Sequence, residues 1–138
     1  MKLFISTLLF IGSFNMMAQK VSISVTAVGF PDNTGQAYMG LYREQDDFPV
    51  MNRQYIGKVV SISKNSATVT YKNLTKGKYA VAVFHDRNKD GTLNKNLFGV
   101  PTEEYGFSNN ARNTFSAPSF SAASFAVSAN KSISINVK

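Results

Sequence analysis

Between Lys20 and Val28 the chain reads KVSISVTAV, with Val21, Ile23, Val25 and Ala27 alternating with Ser22, Ser24 and Thr26. Apolar residues at every second position give an extended segment one dry face and one wet face. A helix would instead need apolar residues three and four apart. The same period of two returns where Ala67, Val69 and Tyr71 alternate with Thr68, Thr70 and Lys72, and again at Ile133, Ile135 and Val137. Gln36–Tyr42 (QAYMGLY) and Tyr55–Ile62 (YIGKVVSI) read as two further strands. Lys78–His85 (KYAVAVFH) is apolar on both faces, the mark of a strand in the middle of a sheet. No window shows a helical period with caps. Short strands separated by turn signals predict an all-β fold. We expect an antiparallel β-sandwich, Ig-like or prealbumin-like, of about seven or eight strands with one long irregular loop.

The first 18 residues read differently. Lys2 precedes the apolar run Leu3–Phe14, and Met17-Ala18 offers a small residue for cleavage. That run is too short to cross a bilayer core of roughly 30 Å and fits a signal peptide. Cleavage after Ala18 would leave a single domain over residues 19–138, periplasmic or secreted. No later segment is apolar enough for a membrane span.

Composition removes several functions. The 138 residues include no cysteine and one histidine. Disulfide staples, thiolate metal sites, a cysteine nucleophile and multi-histidine metal centres are therefore excluded. The formal charge of +7 comes from 15 Lys+Arg against 8 Asp+Glu, and it is dispersed along the chain. Without a basic run there is no stripe for nucleic acid. The expected partner is an envelope or extracellular ligand, a glycan or a protein.

The segment after KYAVAVFH carries the most chemistry. Asp86, Asn88 and Asp90 place oxygen side chains at alternate positions, Gly91 permits a sharp turn, and the Thr92 carbonyl and Asn94 add further oxygens. This is the first half of a calcium-loop pattern. Leu97 stands where a helix–loop–helix site has its bidentate acid, and Arg87 and Lys89 add positive charge. Glu103 or Glu104, from the next loop, would supply the missing carboxylate. Two readings stand side by side: a polar Asx/Gly turn between strands, or a Ca²⁺ site of Asp86, Asn88, Asp90, Thr92, Asn94 and Glu103.

Leu97–Phe120 is long and aromatic-rich among Gly, Pro, Ser and Asn. A long connection of this kind is either functional or packed on itself. As a ligand platform it would stack Tyr105 and Phe107 on a sugar or peptide and hydrogen-bond through Asn109, Asn110 and Arg112. As a flap, it would plug one end of the sandwich with its aromatics. Catalysis is not expected. Asp86 adjoins His85 on a strand, so the two point to opposite faces. No GxSxG elbow serves Ser108, Ser116 or Ser119. The adjacent acids Glu103-Glu104 do not flank a glycosidic bond as two opposed carboxylates must.

The stretch YAVAVFHDRNKDGTLNKNLFGVPTEEYGFSNNAR, followed by PSF and a closing alternating strand, resembles the bacterial family called domain of unknown function 2141. The resemblance runs from about Val21 to the end. It implies an exported single-domain β protein and transfers no catalytic residue. The expected function is a non-catalytic exported binding module, with Ca²⁺ as a candidate stabiliser of the Asp86–Asn94 loop. The alternatives are a purely structural envelope protein and a small periplasmic hydrolase.

Overall fold

A computed structural model describes Gly12, Ser13, residues 16–97 and residues 99–138. Most of the expected signal peptide, and Phe98, lie outside the described residues. Among the described residues eight strands follow in order: β1 (Val21–Val28), β2 (Gln36–Tyr42), β3 (Ile56–Val60), β4 (Ser66–Leu74), β5 (Gly77–Asp86), β6 (Tyr105–Phe107), β7 (Phe125–Val127) and β8 (Lys131–Asn136). One sheet has the order β4-β1-β8. The other has the order β3-β2-β5-β6, with β7 also pairing with β5. The two sheets pack as a sandwich, as the alternation predicts.

Each inner face comes from one phase of that alternation. Ile23, Val25 and Ala27 of β1 are fully buried, as are Ala37, Met39 and Leu41 of β2. Val81 and Val83 of β5 complete the second layer. Tyr71 of β4 crosses between the layers, its hydroxyl donating to Met39 O at 2.8 Å. Burial pushes the Tyr71 phenol well above its ordinary pKa, so it remains a neutral donor.

Two features depart from expectation. β8 runs parallel to β1, whereas every other strand pair is antiparallel. Alternation fixes which face a strand buries and leaves its direction open. The segment expected to be irregular also contains β6, a 3₁₀ turn at Ser108–Asn110, and one helical turn, α1 (Phe120–Ala123). Ser119 caps α1, its side chain accepting from Ala122 N at 3.1 Å. Among the described residues no helix is long and apolar enough to cross a membrane.

Candidate functional site

The Asp86–Asn94 loop leaves the buried end of β5. Asp86 is fully buried. Its Oδ1 accepts from Asp90 N at 3.1 Å, and its Oδ2 accepts from Gly91 N at 2.9 Å and Gln36 Nε2 at 3.0 Å. Asp90 Oδ1 accepts from Thr92 N at 2.9 Å, and Asn88 Nδ2 donates to Asp90 Oδ2 at 3.0 Å. Hydrogen bonds from Thr92 hold the Asp90 carboxyl below its usual range. Gly91, at φ +76°, supplies the left-handed turn.

Glu103 does arrive from the next loop. Buried, it accepts from Arg87 N at 3.0 Å and from Asn94 N at 3.0 Å, stapling both ends of the loop. The structure therefore brings Asp86, Asp90 and Glu103 onto one loop, and much of their capacity is spent on its N–H groups. Asn94 Oδ1 is buried without a hydrogen-bond partner among the described residues. Among the described residues no three His, Asp or Glu side chains gather to hold a metal ion.

His85 and Asp86 diverge as strand geometry requires. The His85 ring lies edge-on to Phe30 at 5.3 Å. Nδ1 stands 3.2 Å from Glu104 Oε2 and Nε2 2.6 Å from Thr34 O. Ser108 is engaged elsewhere, accepting from Val81 N at 2.9 Å and donating to Ala123 O.

Burial pushes the Glu104 carboxyl up, but its hydrogen bond and ion pair with Arg87 outweigh this and hold it below the ordinary value. The Asp32 carboxyl is lowered by Thr34, whose side chain and backbone both donate to it, and further by Arg87. A lowered carboxyl binds fewer protons folded than unfolded. Its contribution is complete above the unfolded pKa of roughly 4 and drains away as pH falls through the folded value. The urea midpoint is therefore expected to hold steady above about pH 5 and to fall on acidification. The fall should be shallower in Arg87→Met. An acid limb identical in that variant would show that Arg87 does not set these values.

The residues expected to bind ligand after Asn94 divide into two groups. Asn109 Nδ2 donates to Ser124 O at 2.8 Å, and Asn110 Oδ1 accepts from Asn136 N at 2.9 Å. Arg112 Nη2 donates to Tyr105 O at 2.7 Å and Lys138 O at 3.0 Å, and its guanidinium lies 4.5 Å over the Tyr105 ring. These three clamp α1, β6 and the end of the chain together. Tyr105 and Phe107 instead sit on β6, on the outer face of the five-stranded sheet.

Register makes that face legible row by row. One row runs Val59, Tyr38, Phe84, Tyr105 across β3, β2, β5 and β6. The next runs Gly57, Gly40, Ala82, Phe107. Beyond it Tyr42 pairs with Ala80. Small residues thus floor a trough between aromatic walls.

Tyr38 stacks on Phe84, centroids 5.1 Å apart. Tyr42 meets Phe48 edge-on at 5.2 Å and donates its hydroxyl to Val50 O at 3.0 Å. The connection carrying Pro49 and Met51 roofs one side, and Leu93 of the Asp86–Asn94 loop forms another wall. The cleft encloses about 60 Å³.

The sequence profile of the bacterial family DUF2141, uncharacterised proteins conserved in bacteria, matches residues 25–136. The chain belongs to that family. No curated protein and no solved structure matches it. The DUF2141 match begins within β1 and ends on the last residue of β8, so it encloses both sheets, the loop and the cleft.

Sequence reasoning had missed Tyr38, Gly40, Tyr42 and Phe84 as site residues. The available signal in this DUF2141 chain was Tyr-x-Gly-x-Tyr at period two within QAYMGLY, opposite a strand apolar on both faces.

Proposed function

We propose that this protein is an exported, non-catalytic β-sandwich binding module whose ligand lies in the aromatic cleft on the outer face of the five-stranded sheet. The ligand is a component of the cell envelope or its surroundings. The observation that carries the reading is the trough floored by Gly40 and Ala82 and walled by Tyr38, Phe84, Tyr105 and Phe107. Gly40 makes room for the Tyr42 ring and Gln54, Ala82 is left half-buried beside them, and concave aromatic surfaces with a few polar groups are the usual ligand sites. Export is supported by the charged and apolar start of the chain. A non-catalytic role is supported by His85, whose ring nitrogens face Glu104 and Thr34 O rather than a serine.

Ala82→Trp fills the trough from its floor. Wild-type protein is expected to give signals on glycan or peptide arrays that include peptidoglycan fragments, and Ala82→Trp to lose them while still melting cooperatively. Silence across both arrays would favour a purely structural envelope protein.

A calcium ion on the Asp86–Asn94 loop is the second reading, favoured by the unpartnered buried Asn94 Oδ1. Asp86, Asn88, Asp90, Thr92 and Asn94 would hold it, with Glu103 behind them. Bound there, it would fix the loop that carries Leu93. Under this reading, millimolar Ca²⁺ raises the melting temperature, Mg²⁺ does not, and Asp90→Ala abolishes the rise. No calorimetric heat and no shift at millimolar Ca²⁺ would leave the loop as a polar turn.

A further inference from the structure

At the β3 end of the trough, Gln54 lies across the two glycines. A side chain at Gly57 would stand 2.7 Å from Gln54 Nε2, and one at Gly40 would stand 3.4 Å from Gln54 Cβ. Nε2 donates to the Tyr38 hydroxyl at 2.8 Å. Oε1 of the same amide is buried and has no hydrogen-bond partner among the described residues. Buried acceptors are rarely left without a donor, because the lost hydration is not repaid. The Tyr38 oxygen, having accepted from Gln54, still has its own proton to give. A buried, unpaired acceptor and a donor with its proton still to give therefore sit on two side chains joined by one hydrogen bond, beside an apolar trough.

We propose that this pair recognises neighbouring hydroxyls of a saccharide, an inference that rests on the cleft being the ligand surface. One hydroxyl donates to Gln54 Oε1, and the next accepts from the Tyr38 O–H. The C–H face of the sugar ring lies against Tyr38, whose ring is stacked on the buried Phe84. A hydroxyl both donates and accepts, so two adjacent ones meet both needs at short spacing. A trans peptide group turns its N–H and C=O to opposite sides and cannot meet both from one unit. A proline ring offers no N–H at all. A hydrocarbon ligand would bury both groups unpaired, at a cost.

The test is calorimetric titration with tetrasaccharides of glucose, mannose and N-acetylglucosamine, and with decaproline as the peptide probe. At least one tetrasaccharide is expected to bind. Tyr38→Phe keeps the ring and removes only the hydroxyl, and Gln54→Met keeps the length and removes the amide. Each should weaken binding about tenfold, the loss expected for one hydrogen bond to a buried group. Saccharide binding that both variants leave unchanged would overturn the assignment. Decaproline binding that Ala82→Trp abolishes, with no saccharide binding, would overturn it while leaving the cleft as the ligand surface. Silence from every probe would remove both.

Discussion

Gly106→Ala is expected to lower stability by about 3 kcal/mol, at the upper end for overpacking a tight contact. Gly106 sits in β6, where the two sheets meet. A Cβ there would collide with the backbone oxygen of Asn136 and stand 2.9 Å from Ile135 Cγ2. Backbone cannot step aside as a flexible side chain can. The collision would also pry apart a clasp in which Lys138 N donates to Tyr105 O at 3.2 Å and Tyr105 N to Lys138 O at 3.4 Å. Gly77→Ala is the control, because nothing lies within 4 Å of its Cβ position. It should melt within a few degrees of wild type. For a domain of this size, about 3 kcal/mol corresponds to a drop of about 12 °C in Tm. Equal melting temperatures for the two variants would show that β6 and the end of the chain are not in contact.

Asp86→Ala is expected to cost about as much, about 3 kcal/mol, for a different reason. The substitution leaves Gly91 N and Gln36 Nε2 without their acceptor and Asp90 N with only the longer bond to Asn88 Oδ1 at 3.3 Å, and each buried unsatisfied group costs about 1–3 kcal/mol. Water reaches the exposed side of the loop, which keeps the total toward the low end of that sum. Asp86→Asn should be nearly as harmful, because its NH₂ cannot accept from a donor. Hydrogen exchange at Asp90 and Gly91 would accelerate more than exchange at Val25 in the core. The same substitution should loosen Leu93 and weaken ligand binding, since the loop sets that wall of the cleft. A loss of stability confined to the core amides, with the loop amides unchanged, would contradict this role for Asp86.

The sequence was most readable where burial has a period. Val21, Ile23, Val25 and Ala27 announced β1, and the two-faced apolar run of KYAVAVFH announced the central strand β5. The parallel pairing of β8 with β1 was not readable, since a strand's alternation is the same in either direction. β6 was missed because three residues give too short a pattern, and Gly106 breaks it. Its glycine is there for the close approach of Asn136, a tertiary cause invisible from neighbours in sequence.

The loop chemistry is legible as a choice between turn and calcium site, with Glu103 or Glu104 as the acid from the next loop; the structure puts Glu103 there, bonded to Arg87 N and Asn94 N. The roles of Asn109, Asn110 and Arg112 were not. Asn109 and Asn110 adopt positive φ, 59° and 49°, and their amides bond backbone rather than facing outward. Apolar residues on both sides of β5 signalled burial on both faces without saying what covers the outer one. The covering is partial, which leaves the cleft.

The central claim is that this partly covered outer face is where a ligand is held. The most direct measurement is amide chemical-shift mapping of ¹⁵N-labelled protein, titrated with each tetrasaccharide and with decaproline. The account expects the largest shifts at Tyr38, Gly40, Ala82, Phe84 and Tyr105, with smaller ones at Gln54 and Leu93. Shifts confined to Ser108–Arg112, or no movement of any amide with any probe, would contradict it.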